Sequence, residues 1–443
     1  MQQLAVRGLV SRSLLLAIVI ALGSGCRDSP GPLRRFLLDP GHRHEILKQS
    51  LLSHENDYAA LRLARYGYGS VDSLDSQDWL RLPEFLPATS EVSAADQDQG
   101  MTQAAWAVID VSLPAADEDD PSEQALREAL RQIGKNAFFR YPAQLVSGFE
   151  AIRRDPLRAA EYGLWQGRTP THQQQLGGLL DVKLPDGSVG IATSCSTCHA
   201  AAAVSGEVIP GATNSALDMG KLAIDSGQQA EGPPLAWGRG RLDTSDDGID
   251  NPAAIPDLRV VAMQRSLHHN ATLRSDLLAL AVRIETLLIT TYREGVRPPP
   301  PLALGLALYL WSLSEELPLE RSIDTQSVGA SLFAQHCAHC HVPPHHSGDP
   351  VPLAVIGTDP ALGISRERGT GGYRTPSLRG AKLRQQFLHH GVLPSVAAVL
   401  DPQRLRDSYR DGNHGPGPVR GHLYGLTISA SDRAALTAFV ESL

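Results

Sequence analysis

The chain has 443 residues, 40 basic against 48 acidic side chains, a net charge of −8 and a hydrophobic fraction of 42%. That length suffices for two or three globular domains with their own cores. The acidic balance argues against a nucleic-acid partner, which would need a basic face. Thirty-one prolines and forty glycines against 5% aromatics predict a loop-rich molecule.

At the N-terminus, Arg7 and Arg12 precede an apolar run from Leu14 to Leu22. The run is too short to span a bilayer and has the length of a signal-peptide core. "GSGC" follows and ends at Cys26. Small residues before a cysteine are similar to a bacterial lipobox, which implies lipidation of Cys26 and a membrane anchor on the periplasmic side. Gly23 departs from that pattern, because leucine is usual there and Leu22 sits one place earlier. A plainly cleaved signal, giving a soluble periplasmic or secreted chain, and an uncleaved anchor are the alternatives. All three put the main chain outside the cytoplasm. Residues 27–124 read as an extension with an amphipathic helix over 44–66. The acidic stretch "LPAADEDDPSE" reads as a linker, and no chemistry is legible in this region.

Besides Cys26 there are four cysteines, Cys195, Cys198, Cys337 and Cys340, in two C-x-x-C pairs. Two local disulfides would suit an exported chain. They would not explain why a histidine follows each pair at once, in "CSTCH" and "CAHCH". A c-type haem requires this pattern: two thiols for covalent attachment and an imidazole for the iron. Haem 1 is therefore expected on Cys195, Cys198 and His199, and haem 2 on Cys337, Cys340 and His341. Zinc would need further ligands at finger or ribbon spacing. His336, His339, His345 and His346 could supply them around the second pair, but nothing comparable surrounds the first. These four histidines are then surface and loop residues.

The two halves repeat each other. "IPDLRVVAMQRSLHH" (255–269) matches "TPSLRGAKLRQQFLHH" (375–390). Pro256 pairs with Pro376, Arg259 with Arg379, and His268/His269 with His389/His390. "IGKNAFFRYP" and "VGASLFAQHC" read as the helix leading to each attachment site. Each half closes on Leu306, Tyr309, Leu310, Leu313 or on Leu436, Phe439, Val440, Leu443, at the helical offsets 0, 3, 4 and 7. Ser429 and Asp432 make a capping-box-like start for the last helix. The expected fold is mainly α, with two tandem cytochrome c-like domains over 125–313 and 322–443, long loops and short β-hairpins.

These motifs resemble the di-haem cytochrome c peroxidase superfamily, which includes the methylamine-utilisation di-haem enzyme and the rubber oxygenases. The resemblance covers about 125–443. It is most specific in "YRTPSLRG", "FLHHG", "LDP" and "GHLYGLTISASDRAALTAFVESL", where it is closest to the rubber oxygenase branch. It implies a peroxidase-like oxidoreductase that passes electrons from haem 2 to a reactive haem 1. The partner implied is a small cytochrome, a cupredoxin or a quinol-linked donor. It also implies that the far-side ligand of haem 2 lies just before the last helix, where this chain has His422. Methionine cannot serve from within that domain, since Met101, Met219 and Met263 all lie before it. Arg259 and Arg379 are natural partners for haem propionates.

Around haem 1 the pattern departs from the classical peroxidases. The loop after the first attachment site has Glu207 and Met219 but no histidine. The candidates are Glu207 and Tyr292 as catalytic groups, and Met219, Tyr292 or His268/His269 as far-side ligand, alongside an open site. An electron-transfer protein with two six-coordinate haems and a haem-dependent oxygenase are the competing functions.

"LDTSDDGID" (242–250) places Asp243, Ser245 and Asp247 before Gly248 in calcium-loop spacing. Ala254 stands where the bidentate glutamate belongs, and Asp250 is the substitute. A solvated acidic turn is the competing reading. "VKLPDGSVGIATSCSTCH" reads as a β-hairpin on Asp186–Gly187 leading into haem 1. Trp165 and Trp237 are either haem-edge residues or ordinary core aromatics.

Overall fold

The computed structural model describes residues 31–66, 78–85, 121–184, 187–227, 237–245, 249–292, 295–317 and 323–443. The signal-like segment, Cys26, most of the acidic stretch and Asp247 lie outside them. No helix among the described residues is long and apolar enough to cross a membrane.

Three helices open the described chain: α1 (Pro32–Leu38), α2 (Pro40–Ser50) and α3 (Asp57–Arg65). A single helix was expected over 44–66, and the chain breaks it at residues 51–56. The reason is local. Leu51 leaves the helix to bridge Leu273, and the Asn56 side chain accepts from the Ala59 amide, starting a new helix.

Four longer helices build two similar crossings. In the first, α4 (Pro121–Arg140) packs on α7 (Pro300–Ser312), with α6 (Leu277–Tyr292) beside α7. Gly134 of α4 lies against the backbone of Gly305, so close that a Cβ there would overlap its carbonyl. One turn on, the rings of Phe138 and Tyr309 meet edge-on at 5.7 Å. In the second crossing, α8 (Val328–His336) packs on α9 (Ala430–Glu441). Gly329 lies against the Ala435 carbonyl, and Phe333 meets Phe439 at 5.3 Å. The glycine and the aromatic are four residues apart in both leading helices. Ser429 caps α9 by accepting from the Asp432 amide at 3.1 Å.

The first crossing belongs to a large apolar core. Leu33, Phe36, Leu47 and Tyr58 of the N-terminal helices share it with Leu126, Phe138, Leu304 and Tyr309. The N-terminal segment also reaches the second half. The Asp57 and Tyr58 amides donate to the Arg366 and Glu367 carbonyls, and Asn56 Nδ2 to that of Gly369. The second crossing has its own cluster around Phe333, Leu436, Phe439 and Val440.

The sheets are small and antiparallel. β2 (Leu179–Lys183) pairs with β3 (Val189–Thr193), and β1 (Gln144–Val146) joins the other side of β3. Gly187 turns the hairpin at φ +85°, which a residue without Cβ adopts without strain. β3 runs straight into Ser194 and then α5 (Cys195–His199), so the hairpin aims the first thiol pair.

Candidate functional site

The second attachment motif opens onto a cavity with about 1590 Å³ of empty space, its mouth included. Cys337, Cys340 and His341 line it, and so does His422. His341 is held by its Nδ1, which lies 3.1 Å from the His346 carbonyl. That contact assigns the proton to Nδ1 and leaves the other nitrogen with a lone pair for a metal. The His341 and His422 rings are 6.5 Å apart between centroids. Two imidazoles bonded to opposite sides of one first-row metal, with bonds of about 2.0 Å, hold their centres roughly 6.3 Å apart. Burial holds His341 down to about 3 and His422 to about 4, so both rings are neutral, the ligating form. Nδ1 of His422 is buried with no partner. Two thiols, two neutral imidazoles and an orphaned ring nitrogen around one cavity are a set that could hold a covalently attached haem.

His422 is placed by its backbone. It adopts φ +47°, its amide donates to the Ile356 carbonyl at 2.8 Å, and Gly421 before it packs against the backbone of Thr358. Beneath this loop lies Arg404, fully buried. Its guanidinium donates to the carbonyls of Val399 (2.9 Å), Val419 (2.5 Å), Gly421 (2.9 Å) and His422 (2.8 Å). In "LDPQRL" nothing distinguishes this arginine from a surface residue, and sequence reasoning missed it.

At the first motif, α5 carries Cys195, Cys198 and His199. Trp165 donates its indole N–H to the Ser196 carbonyl at 2.8 Å and so packs under the attachment helix. His199 Nδ1 lies 3.1 Å from the Pro256 carbonyl. The paired Pro376 carbonyl acts on His341 in the same sense. The repeated Pro-x-Leu-Arg segment thus brings a carbonyl to each attachment-site imidazole. Pro256 also lines the cavity of the second motif. Burial pushes His199 down to about 4.

The four thiols are free. Burial raises Cys195 and Cys337 to about 11 and Cys198 to about 12, and raises Cys340 less steeply. In chain made without haem attachment, iodoacetamide should therefore modify Cys340 first, and Cys195 and Cys198 slowest. Peptide mass mapping against time checks this, and equal rates at Cys198 and Cys340 would refute it.

The far-side candidates separate. Glu207 is exposed on the turn of the hairpin after His199. Tyr292 is buried, with its ring 5.4 Å from Phe85. Met219 packs in the apolar cluster that Cys198 touches. His268 bonds through Nδ1 to the Thr272 hydroxyl and accepts at Nε2 from Arg283 at 2.7 Å. His269 Nε2 donates to the Ala254 carbonyl at 2.8 Å, and His389 stacks on Tyr373 at 4.1 Å. These three histidines are engaged with the protein itself.

Arg259 forms a two-pronged ion pair with Asp257, the shorter contact 2.5 Å. Its charge is thereby compensated within the chain. Arg374 and Arg384, not singled out from sequence, line the second cavity, and each has a buried Nε without a partner. They are better placed than Arg259 and Arg379 to meet carboxylates there. His346 is not an incidental loop residue either. It is buried against Phe333 and orients His341. His336 and His339 sit on the cavity wall beside Tyr424, whose ring is 5.2 Å from that of His339.

In the acidic loop, Asp243 accepts from the Ser245 amide (2.8 Å), the Ser245 hydroxyl (2.6 Å) and the Asn251 amide (3.0 Å). Asp250 accepts from the Trp237 indole at 2.5 Å. Both carboxylates are directed to donors of the chain. Among the described residues no group of three or more His, Cys, Asp or Glu side chains is arranged to hold a metal ion.

A stretch of 77 residues is 34% identical to a cytochrome-c peroxidase of Pseudomonas sp. (strain SCT), covering 17% of this chain and 18% of that protein. No family model and no solved structure matches the chain. The likeness supports a distant peroxidase relationship and, with it, a haem cofactor.

Proposed function

We propose that this chain is an exported di-haem c-type cytochrome with two tandem cytochrome c-like domains, acting as a peroxidase-like oxidoreductase. The observation that carries the reading is the repeated site: two half-buried thiols and a neutral imidazole held by a carbonyl, found twice in the chain. Bound haem would supply one-electron storage at the second site and peroxide reduction at the first. The chain's own part is to fix the attachment helix, orient His199 and His341 through backbone carbonyls, and hold His422 across the second cavity. The wall carrying His336, His339 and Tyr424 is where a small redox partner would approach. Export and a lipid anchor at Cys26 belong to this reading through the signal-like N-terminus. An oxygenase related to the rubber-cleaving branch is disfavoured, because the resemblance is concentrated around His422 rather than at the first site.

A second reading, a pure electron carrier with both irons six-coordinate, is favoured by Met219 in the apolar cluster beside Cys198. Optical and electron paramagnetic resonance spectra of the purified protein, with and without peroxide and cyanide, decide between them. The peroxidase reading expects one haem to bind cyanide and be oxidised by peroxide while the other stays low-spin. No ligand binding in any redox state would overturn it.

A further inference from the structure

The N-terminal segment, for which the sequence shows no chemistry, supplies part of a buried cationic chamber next to the first attachment site. Its α3 carries Tyr58 and Arg62, 2% and 4% exposed. The Arg62 guanidinium lies 3.5 Å from the Tyr58 ring centre, and that of Arg368, from the second half, 5.4 Å from it. Arg62 Nε also donates to the Thr286 hydroxyl at 3.3 Å, one turn along α6 from Arg283. Arg283 donates to His268, whose ring is 5.6 Å from Tyr58. Cys195 packs on the apolar core that includes Val282 and Ile284, which flank Arg283 on α6, and this places the chamber on the side of the first thiol pair.

Two polar groups in this chamber are buried and unpartnered: the Tyr58 hydroxyl and Nη1 of Arg283. Among the described residues, Arg368 is the one of the three guanidinium groups in an ion pair, with Glu367 at 3.1 Å. His268 accepts from Arg283 and is neutral, so it adds no charge. Arg374, on the second cavity's wall, adds a further positive influence at His268. Burial, together with the neighbouring Arg368 and Arg62 charges, holds Arg283 down to about 10. Buried charge of one sign with orphaned donors is costly unless an anion completes it.

We propose that Tyr58, Arg62, Arg283 and Arg368 form a clamp for the two propionate carboxylates of haem 1, so that the N-terminal segment is part of the first haem site. The two positive charges left after Glu367 match the two negative charges of the propionates. A guanidinium suits carboxylate recognition through its paired donors, and the Tyr58 hydroxyl would donate to the same group. The clamp rests on the di-haem reading above. It draws on all three parts of the chain, so it also locks them around haem 1.

The test is a redox titration of the holoprotein, with haem attachment at both sites first confirmed by peptide mass. Tyr58→Phe removes only a hydroxyl and should fold. It should lower the midpoint potential of haem 1 and leave haem 2 unchanged, since a less stabilised propionate favours the ferric state. Arg283→Leu should lower it further, and Arg283→Lys should restore part of the shift. With both haems present, unshifted potentials in Tyr58→Phe and Arg283→Leu would overturn the clamp. A saturable change in the haem 1 spectrum on adding phosphate, lost in Arg62→Gln, would overturn it too by placing a solution anion in the chamber. No haem mass at Cys195 and Cys198 would instead remove the di-haem reading, and the clamp with it.

Discussion

On the proposed di-haem reading, His422→Ala should turn the second haem from low-spin to high-spin, the largest spectral change expected from any single substitution in this chain. His422 faces His341 across the cavity at a ring separation that two bonds to one iron would produce. No methionine lies in the second half to replace it. Removing the imidazole therefore leaves an open position, and free imidazole added to the variant should restore the low-spin spectrum. Arg404→Lys should act on the same ligand from below. Lysine cannot reach four carbonyls with one ammonium group. The carbonyls left without donors should cost about 2–4 kcal/mol. The loop carrying His422 would loosen, and the low-spin signal should broaden or become temperature-dependent. An unchanged spectrum in His422→Ala would rule out the ligand assignment, and an unchanged spectrum in Arg404→Lys the positioning role.

Gly134→Ala should be severely destabilising although alanine favours helices over glycine. The helical preference contributes about 0.5–1 kcal/mol in favour of the variant. Against it, the new Cβ would fall on the Gly305 carbonyl, which is backbone and cannot swing aside. Separating α4 from α7 also disturbs Phe138 and Tyr309 and the core around them. Overpacking of this kind costs about 3 kcal/mol or more, which for a domain of this size lowers the melting temperature by roughly 6–12 °C. Gly187→Ala is the control. It has open space around it but φ +85°, so it should lose only about 1–2 kcal/mol through backbone strain. A melting temperature in Gly134→Ala no lower than in Gly187→Ala would refute the close crossing.

The candidate attachment residues stand out in the sequence because covalent attachment of a planar cofactor would demand this fixed spacing. C-x-x-C-H states its three residues in one line, and the repeat around Pro256 and Pro376 could be aligned by eye. What the prolines do there was not legible, since a backbone carbonyl leaves no mark in the side-chain pattern. The glycines at 134 and 329 were in view four residues before Phe138 and Phe333, but a helical glycine also reads as a weak position in a helix. Arg404, Arg374 and Arg384 were missed because a buried arginine and a surface one look alike in sequence. Only tertiary contacts, far apart along the chain, tell them apart. The same holds for Tyr58 and Arg62, whose partners come from residues 268, 286 and 368. The helix over 44–66 failed for a local reason, the Asn56 cap, which the apolar spacing overrode in the reading.

Pro256 accepts from His199 through its carbonyl and also lines the second cavity. A rearrangement on that wall alters how strongly the carbonyl draws on the Nδ1 proton, and so how basic the opposite nitrogen is. On the proposed di-haem reading, the two stations would therefore not have fixed, separate potentials: the value of each would be conditional on the oxidation state of the other. On that reading, half-potentials measured on a chain loaded at one station should differ from those of the complete molecule.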